Sequence, residues 1–73
     1  MDNKIIEIIS TIAKINRDQL IEKIDIEKLW ESIVHVEIII ALEEEFDIVF
    51  TQEEIGDTTT VRKIIDLIKT KAQ

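Results

Sequence analysis

Isoleucines at Ile5, Ile8, Ile9, Ile12 and Ile15 recur at helical spacing, so the pattern predicts a first helix over residues 2–15 with Asp2 as its N-cap. Residues 16–31 are less regular, with Leu20, Ile21, Ile24, Ile26, Leu29 and Trp30 as scattered anchors, and read as a long connection with some local helix. The next stretch, Ile33-Val-His-Val-Glu-Ile-Ile-Ile40, is β-branched and in isolation would suit a strand. Its continuation, Ala41-Leu-Glu-Glu-Glu45, consists of strong helix formers, and Ser32 is a favoured N-cap, so the pattern predicts a helix over 32–45. Thr51-Gln-Glu-Glu54 fits a capping box opening a short helix that Gly56 would stop. Thr59 or Thr60 would cap a last helix carrying Val61, Ile64, Ile65 and Ile68, with lysines toward its C-terminal end. The expected architecture is all-α with four helical pieces, the third one short.

Length limits what these helices can build. A chain of 73 residues has one small core, and we expect a single domain over 1–73. With no cysteine and one histidine, neither a disulfide nor a Cys/His metal site can support it, and no metal is expected. Apolar packing must hold the fold, and 45% of the residues are hydrophobic. Nine basic residues against sixteen acidic ones give a net charge of −7, which repels nucleic acid and anionic membrane surfaces and favours a basic protein partner. No signal-peptide layout and no spanning apolar run are present, so a cytoplasmic location is expected.

The helix after Ser32 carries the functional information. On a helical wheel Ile38, Ile39, Leu42 and Phe46 form one stripe, and Ile33, Val36 and Ile40 form a second nearly opposite, with Glu37 and Glu44 among them. A surface helix needs only one apolar stripe. Either the helix is buried on most sides, or the second row is a docking surface on which acids attract a basic partner and aliphatics supply contact area; the glutamates favour docking. An enzyme is not expected. His35 has no evident nucleophile partner, no Gly-rich phosphate loop occurs, and Glu43-Glu44-Glu45 diverge around their helix.

The run Ser32-Ile-Val-His-Val-Glu-Ile-Ile-Ile-Ala-Leu-Glu-Glu-Glu-Phe46, continued by Asp47-Ile-Val-Phe-Thr-Gln-Glu-Glu54 and Thr59-Thr-Val-Arg-Lys-Ile-Ile-Asp-Leu-Ile68, resembles the acyl carrier protein family. There an Asp-Ser-Leu motif leads into a helix of the form Val-Glu-Leu-x-x-Ala-Leu-Glu-Glu-Glu-Phe. The chain departs from the family around the serine. Leu29-Trp30-Glu31 stands where Gly-x-Asp is usual, Ile33 replaces Leu, Val34 replaces a common Asp, and His35 a common Thr. These changes suggest a specialised carrier.

The resemblance implies a small four-helix bundle of acyl carrier protein type, monomeric, with 4'-phosphopantetheine from coenzyme A attached covalently to Ser32 by a phosphopantetheinyl transferase. Cargo would ride as a thioester on that arm, and fatty acyl, polyketide, hydroxyacyl and aminoacyl groups all remain open. Partner enzymes of acyl-transferring, ligase or synthase type, with basic patches, would dock on Glu31, Ile33, Val36, Glu37, Ile40, Glu43, Glu44 and Asp47. His35 would lie near the mouth of the acyl cavity, as a cargo contact or as a structural histidine, and Trp30 would anchor the loop on the bundle or else shield the arm or orient the transferase. The competing reading is an unmodified carrier-like helical module that docks on a partner.

Overall fold

The computed structural model describes residues 2–72 and is all-helical, with α1 (Asp2–Ala13), α2 (Arg17–Glu22), α3 (Ser32–Phe46), α4 (Gln52–Asp57) and α5 (Val61–Lys71). The core is where α1, α2, α3 and α5 turn their aliphatic stripes inward. Ile5 and Ile9, Leu20, Ile38 and Leu42, and Val61, Ile64 and Ile68 are fully buried. α1 is the central packing element, lying against α3, α2 and α5. Each buried Ile or Leu contributes about 1.5–3 kcal/mol relative to an exposed one. With no disulfide, this burial is what sustains the fold.

Among the described residues there are five helices where four were expected. The additional one, α2, lies inside the segment read as a connection with some local helix. Asn16 caps it, its side chain accepting from the Asp18 N–H at 2.7 Å, and Leu20 drives its inner face into the core. The rest of the connection stays irregular and is fastened to the start of α5. The Arg62 N–H donates to the Ile24 carbonyl at 3.0 Å, and the Arg62 guanidinium grips Asp25 through Nε at 2.6 Å and Nη2 at 3.3 Å. That pairing holds the guanidinium's pKa above its ordinary value.

Other helix boundaries move by a residue or two. Asp2 lies in the first turn of α1 and not before it, and its carboxylate pairs with Lys69 at 3.0 Å. Ile15 falls beyond the end of α1, where Lys14 adopts a left-handed backbone with φ 58° and the Ile15 N–H returns to the Ser10 carbonyl. The capping box forms as expected: Glu54 N–H donates to Thr51 Oγ1 at 3.1 Å and Thr51 N–H to the Glu54 carboxylate at 2.9 Å. Of the two threonines considered for α5, Thr60 is the cap, accepting from the Lys63 N–H. Gly56 does not end α4. The helix runs through it to Asp57, and Thr58 is the C-cap.

Candidate functional site

Ser32 is the first residue of α3 and not its N-cap. Glu31 takes the extended backbone of the cap, with φ −74° and ψ 162°, yet its side chain makes no capping hydrogen bond. A carboxylate can cap a helix, but here the aliphatic stem and charge stay in solvent. The exposed Ser32 hydroxyl therefore sits beside first-turn N–H groups that no side chain satisfies, at the positive end of a fifteen-residue helix dipole. α3 carries no acidic residue in its first turn.

Beyond Ser32, α3 presents its two apolar rows to different surroundings. Ile38, Ile39 and Leu42 are buried, whereas Ile33, Val36 and Ile40 are 69%, 49% and 50% exposed, so the outer row is surface and not a second core face. Glu37 and Glu44 are exposed beside it and form no ion pair among the described residues. Glu43 behaves differently. It is half-buried and its carboxylate accepts the Phe50 N–H at 2.8 Å, tying the 47–51 segment back onto α3. Asp47 is exposed, but its left-handed φ of 53° makes it the C-cap of α3. Among the described residues Glu31, Glu37 and Glu44 thus have no ion-pair partner, while Glu43 and Asp47 also serve the fold.

His35 lies one turn into α3 and is half-buried. The Trp30 indole N–H donates to its Nδ1 at 3.0 Å. Because an indole nitrogen is only a donor, Nδ1 must be unprotonated, which places the ring proton on Nε2. Nε2 then donates to the Ile55 carbonyl at 3.0 Å and lies 3.1 Å from Thr58 Oγ1, while the Thr58 hydroxyl itself donates to Ile55 O at 2.9 Å. The two rings lie side by side across their hydrogen bond, with centroids 6.1 Å apart and planes 18° apart. His35 is therefore the middle of a bridge from the segment before Ser32 to the end of α4. Every polar atom of that bridge is satisfied from within the protein, and no buried side-chain polar atom lacks a partner among the described residues.

Next to this bridge is a partly open groove of about 300 Å³. Ser32 and Val36 border it on the α3 side, Ile26, Leu29 and Trp30 on the side of the irregular segment, and Ile55 and Gly56 on the α4 side. His35 and the buried Thr58 also line it, as do Lys28 and Thr59. Sequence reasoning singled out Ser32, Val36, His35 and Trp30 but missed Ile26, Leu29, Ile55, Gly56 and Thr58 as groove residues. They come from separate segments that only folding brings together, and no spacing in the chain announces them.

Among the described residues no group of His, Asp and Glu side chains is placed to hold a metal ion, and no helix is long and apolar enough to cross a membrane. No protein-family model matches the chain, and no curated protein is significantly similar to it.

Proposed function

We propose that the chain is a carrier protein of the acyl carrier type, loaded at Ser32. The observation that carries this reading is the exposed hydroxyl at the first position of α3, uncapped by any side chain, from which an outer row of bare aliphatics and exposed carboxylates runs down the same helix. A serine that served only as a helix cap would accept a first-turn N–H; Ser32 is one residue too late to be that cap.

The residues fit a phosphodiester-linked arm. In loading, Ser32 Oγ forms the new bond to phosphorus of coenzyme A's phosphopantetheine while the pyrophosphate P–O bond breaks. Adenosine 3',5'-bisphosphate leaves, and the hydroxyl proton passes to a base on the transferase. The unsatisfied first-turn N–H groups of α3, with the positive end of its dipole, would favour the negative charge of a phosphodiester on Ser32. When bound, the arm supplies a terminal thiol that holds an acyl group as a thioester. Glu37 and Glu44 steer a basic enzyme surface toward the helix, and Ile33, Val36 and Ile40 supply apolar contact once it arrives.

Intact mass after incubation with coenzyme A and a broad-specificity phosphopantetheinyl transferase tests the assignment. Wild type gains one phosphopantetheine and Ser32→Ala gains none. A wild-type chain that stays unmodified with such transferases, including the one encoded closest to its own gene, would favour the unmodified docking module.

A further inference from the structure

His35 is the only histidine of the chain, and it holds its bridge as a neutral ring. Toward Trp30 it is an acceptor: the indole N–H points at Nδ1 from 3.0 Å, and an indole nitrogen cannot reverse that role. Toward α4 it is a donor, through Nε2 to the Ile55 carbonyl at 3.0 Å. A second proton changes only the first of these contacts. It arrives at Nδ1, where the new N–H faces the indole N–H and the hydrogen bond becomes a repulsion, whereas Nε2 keeps its proton and its carbonyl. The bridge is therefore built to open on one side, toward the segment that leads into Ser32.

That segment has little else to hold it. Residues 24–27 are tied to α5 and its cap region, Ile24 and Asp25 by Arg62 and Glu27 by Thr59 at 3.2 Å. Over residues 28–31 the indole bond to His35 is the one side-chain hydrogen bond among the described residues. Lys28 adds strain there, with a left-handed φ of 60° on a residue that carries a Cβ. The charged groups around the ring are few. Lys28 is the one charged residue lining the groove with His35. Glu27 is turned to Thr59 and Lys63, Glu31 and Glu37 on α3 are exposed, and on α4 Glu54 is held by Lys71 while Glu53 and Asp57 are exposed. No carboxylate pairs with the ring among the described residues, so its hydrogen bonds, and not an ion pair, decide what a proton changes.

We propose that His35 is a positioning residue for Ser32: the neutral ring fastens residues 28–31 against α4, and protonation releases them between about pH 8 and about pH 5, where imidazole titrates. The latch stands apart from the carrier reading, but its consequence for loading rests on that reading. Ser32 lies two residues after Trp30 and three before His35, so its hydroxyl is presented to a loading enzyme from a fixed segment when the ring is neutral and from a loose one when it is charged.

Spectra of the unmodified, ¹⁵N-labelled chain read the latch directly. At the alkaline end the His35 ring should show a protonated Nε2 and a bare Nδ1. On acidification the Trp30 indole N–H resonance should move in step with ring protonation, while the backbone amides of Ile55 and Thr58 keep their protection once exchange is corrected for pH. His35→Gln, whose amide offers one acceptor and one donor without titrating, should stay folded and lose the response. Loading by coenzyme A and a phosphopantetheinyl transferase, taken relative to His35→Gln at each pH, should slow on acidification by about two- to tenfold, the weight of one hydrogen bond. A ring that titrates without moving the indole resonance, a proton on Nδ1 at the alkaline end, or an undiminished response in His35→Gln would overturn the latch. A relative loading rate that stays flat while the indole responds would overturn the positioning role. Absence of loading in both chains at every pH would instead refute the carrier reading and leave the latch to be judged on the spectra.

Discussion

α3 and α5 are both long helices that contribute fully buried aliphatics to the same core, yet they treat their other faces differently. α5 buries Val61, Ile64, Ile65 and Ile68 and turns Arg62, Lys63, Asp66 and Lys69 to solvent, the ordinary amphipathic solution. α3 buries Ile38, Ile39 and Leu42 and still leaves Ile33, Val36 and Ile40 bare. Folding accounts for all of α5 and only half of α3. The outer row of α3 leaves apolar surface in water with no gain to the fold, which points to a use outside it, and the row starts next to Ser32.

The sharpest way to test this contrast is to truncate one aliphatic on each face. Ile38→Ala should cost about 2–5 kcal/mol in urea unfolding, as should Ile64→Ala on α5, whereas Ile33→Ala should change stability by no more than about 0.5 kcal/mol. A large stability loss at Ile33 would mean that the outer row serves the fold after all. Charge separates the helices next. Glu37→Lys on α3 should slow acyl transfer from a partner enzyme about tenfold at low salt, with the effect shrinking as salt screens the surface, while Asp66→Lys on α5 leaves the rate nearly unchanged. Equal effects at the two sites would make the rate a matter of net charge and not of docking on α3.

How much of this was legible before folding differs between the same two helices. α5 could be read almost completely, because one stripe fixes each buried position and only the choice of Thr59 or Thr60 as its cap was left to the structure. The two rows of α3 were also visible, and Glu37 and Glu44 favoured the Ile33, Val36 and Ile40 row as the outer one; the wheel left open only whether that row was exposed or buried as well. The start of α3 at residue 32 was placed correctly, but its cap was assigned to Ser32 and not to Glu31, because serine's capping preference outweighs glutamate's and only the extended backbone of Glu31 decides between them. α2 was anticipated only as some local helix within residues 16–31, without bounds, because a six-residue helix gives too few turns for a periodic signal, although Asn16 was a usable cap. The groove and the Trp30–His35–Thr58 bridge join residues 20 or more positions apart, and hydrophobic patterning carries no information about such pairings.

Smaller effects concern how the helices end. Asp47 closes α3 in the left-handed region, so Asp47→Gly should stabilise the protein by about 0.5–1 kcal/mol in the same unfolding assay. The Lys71 side chain near the end of α5 is held by Glu54 at 2.8 Å, and this hydrogen bond, followed by that from the Thr51 backbone, lowers the Glu54 pKa. Because the folded-state value lies below the unfolded one, Glu54's contribution is present above the unfolded pKa and is lost as pH falls through the folded pKa. Glu54→Gln should therefore flatten the decline in stability from about pH 6 to about pH 3, by an amount small beside the core truncations. An unaltered acid limb would remove Glu54 from that account.

The claim on which the rest depends is the covalent role of Ser32, and it is read most directly on the chain purified from cells of its own source. Intact mass and fragmentation should show one phosphopantetheine attached through a phosphodiester at Ser32, wholly or in part with an acyl thioester on its thiol. A population carrying an unmodified Ser32 throughout, in cells whose other carriers are loaded, would contradict it.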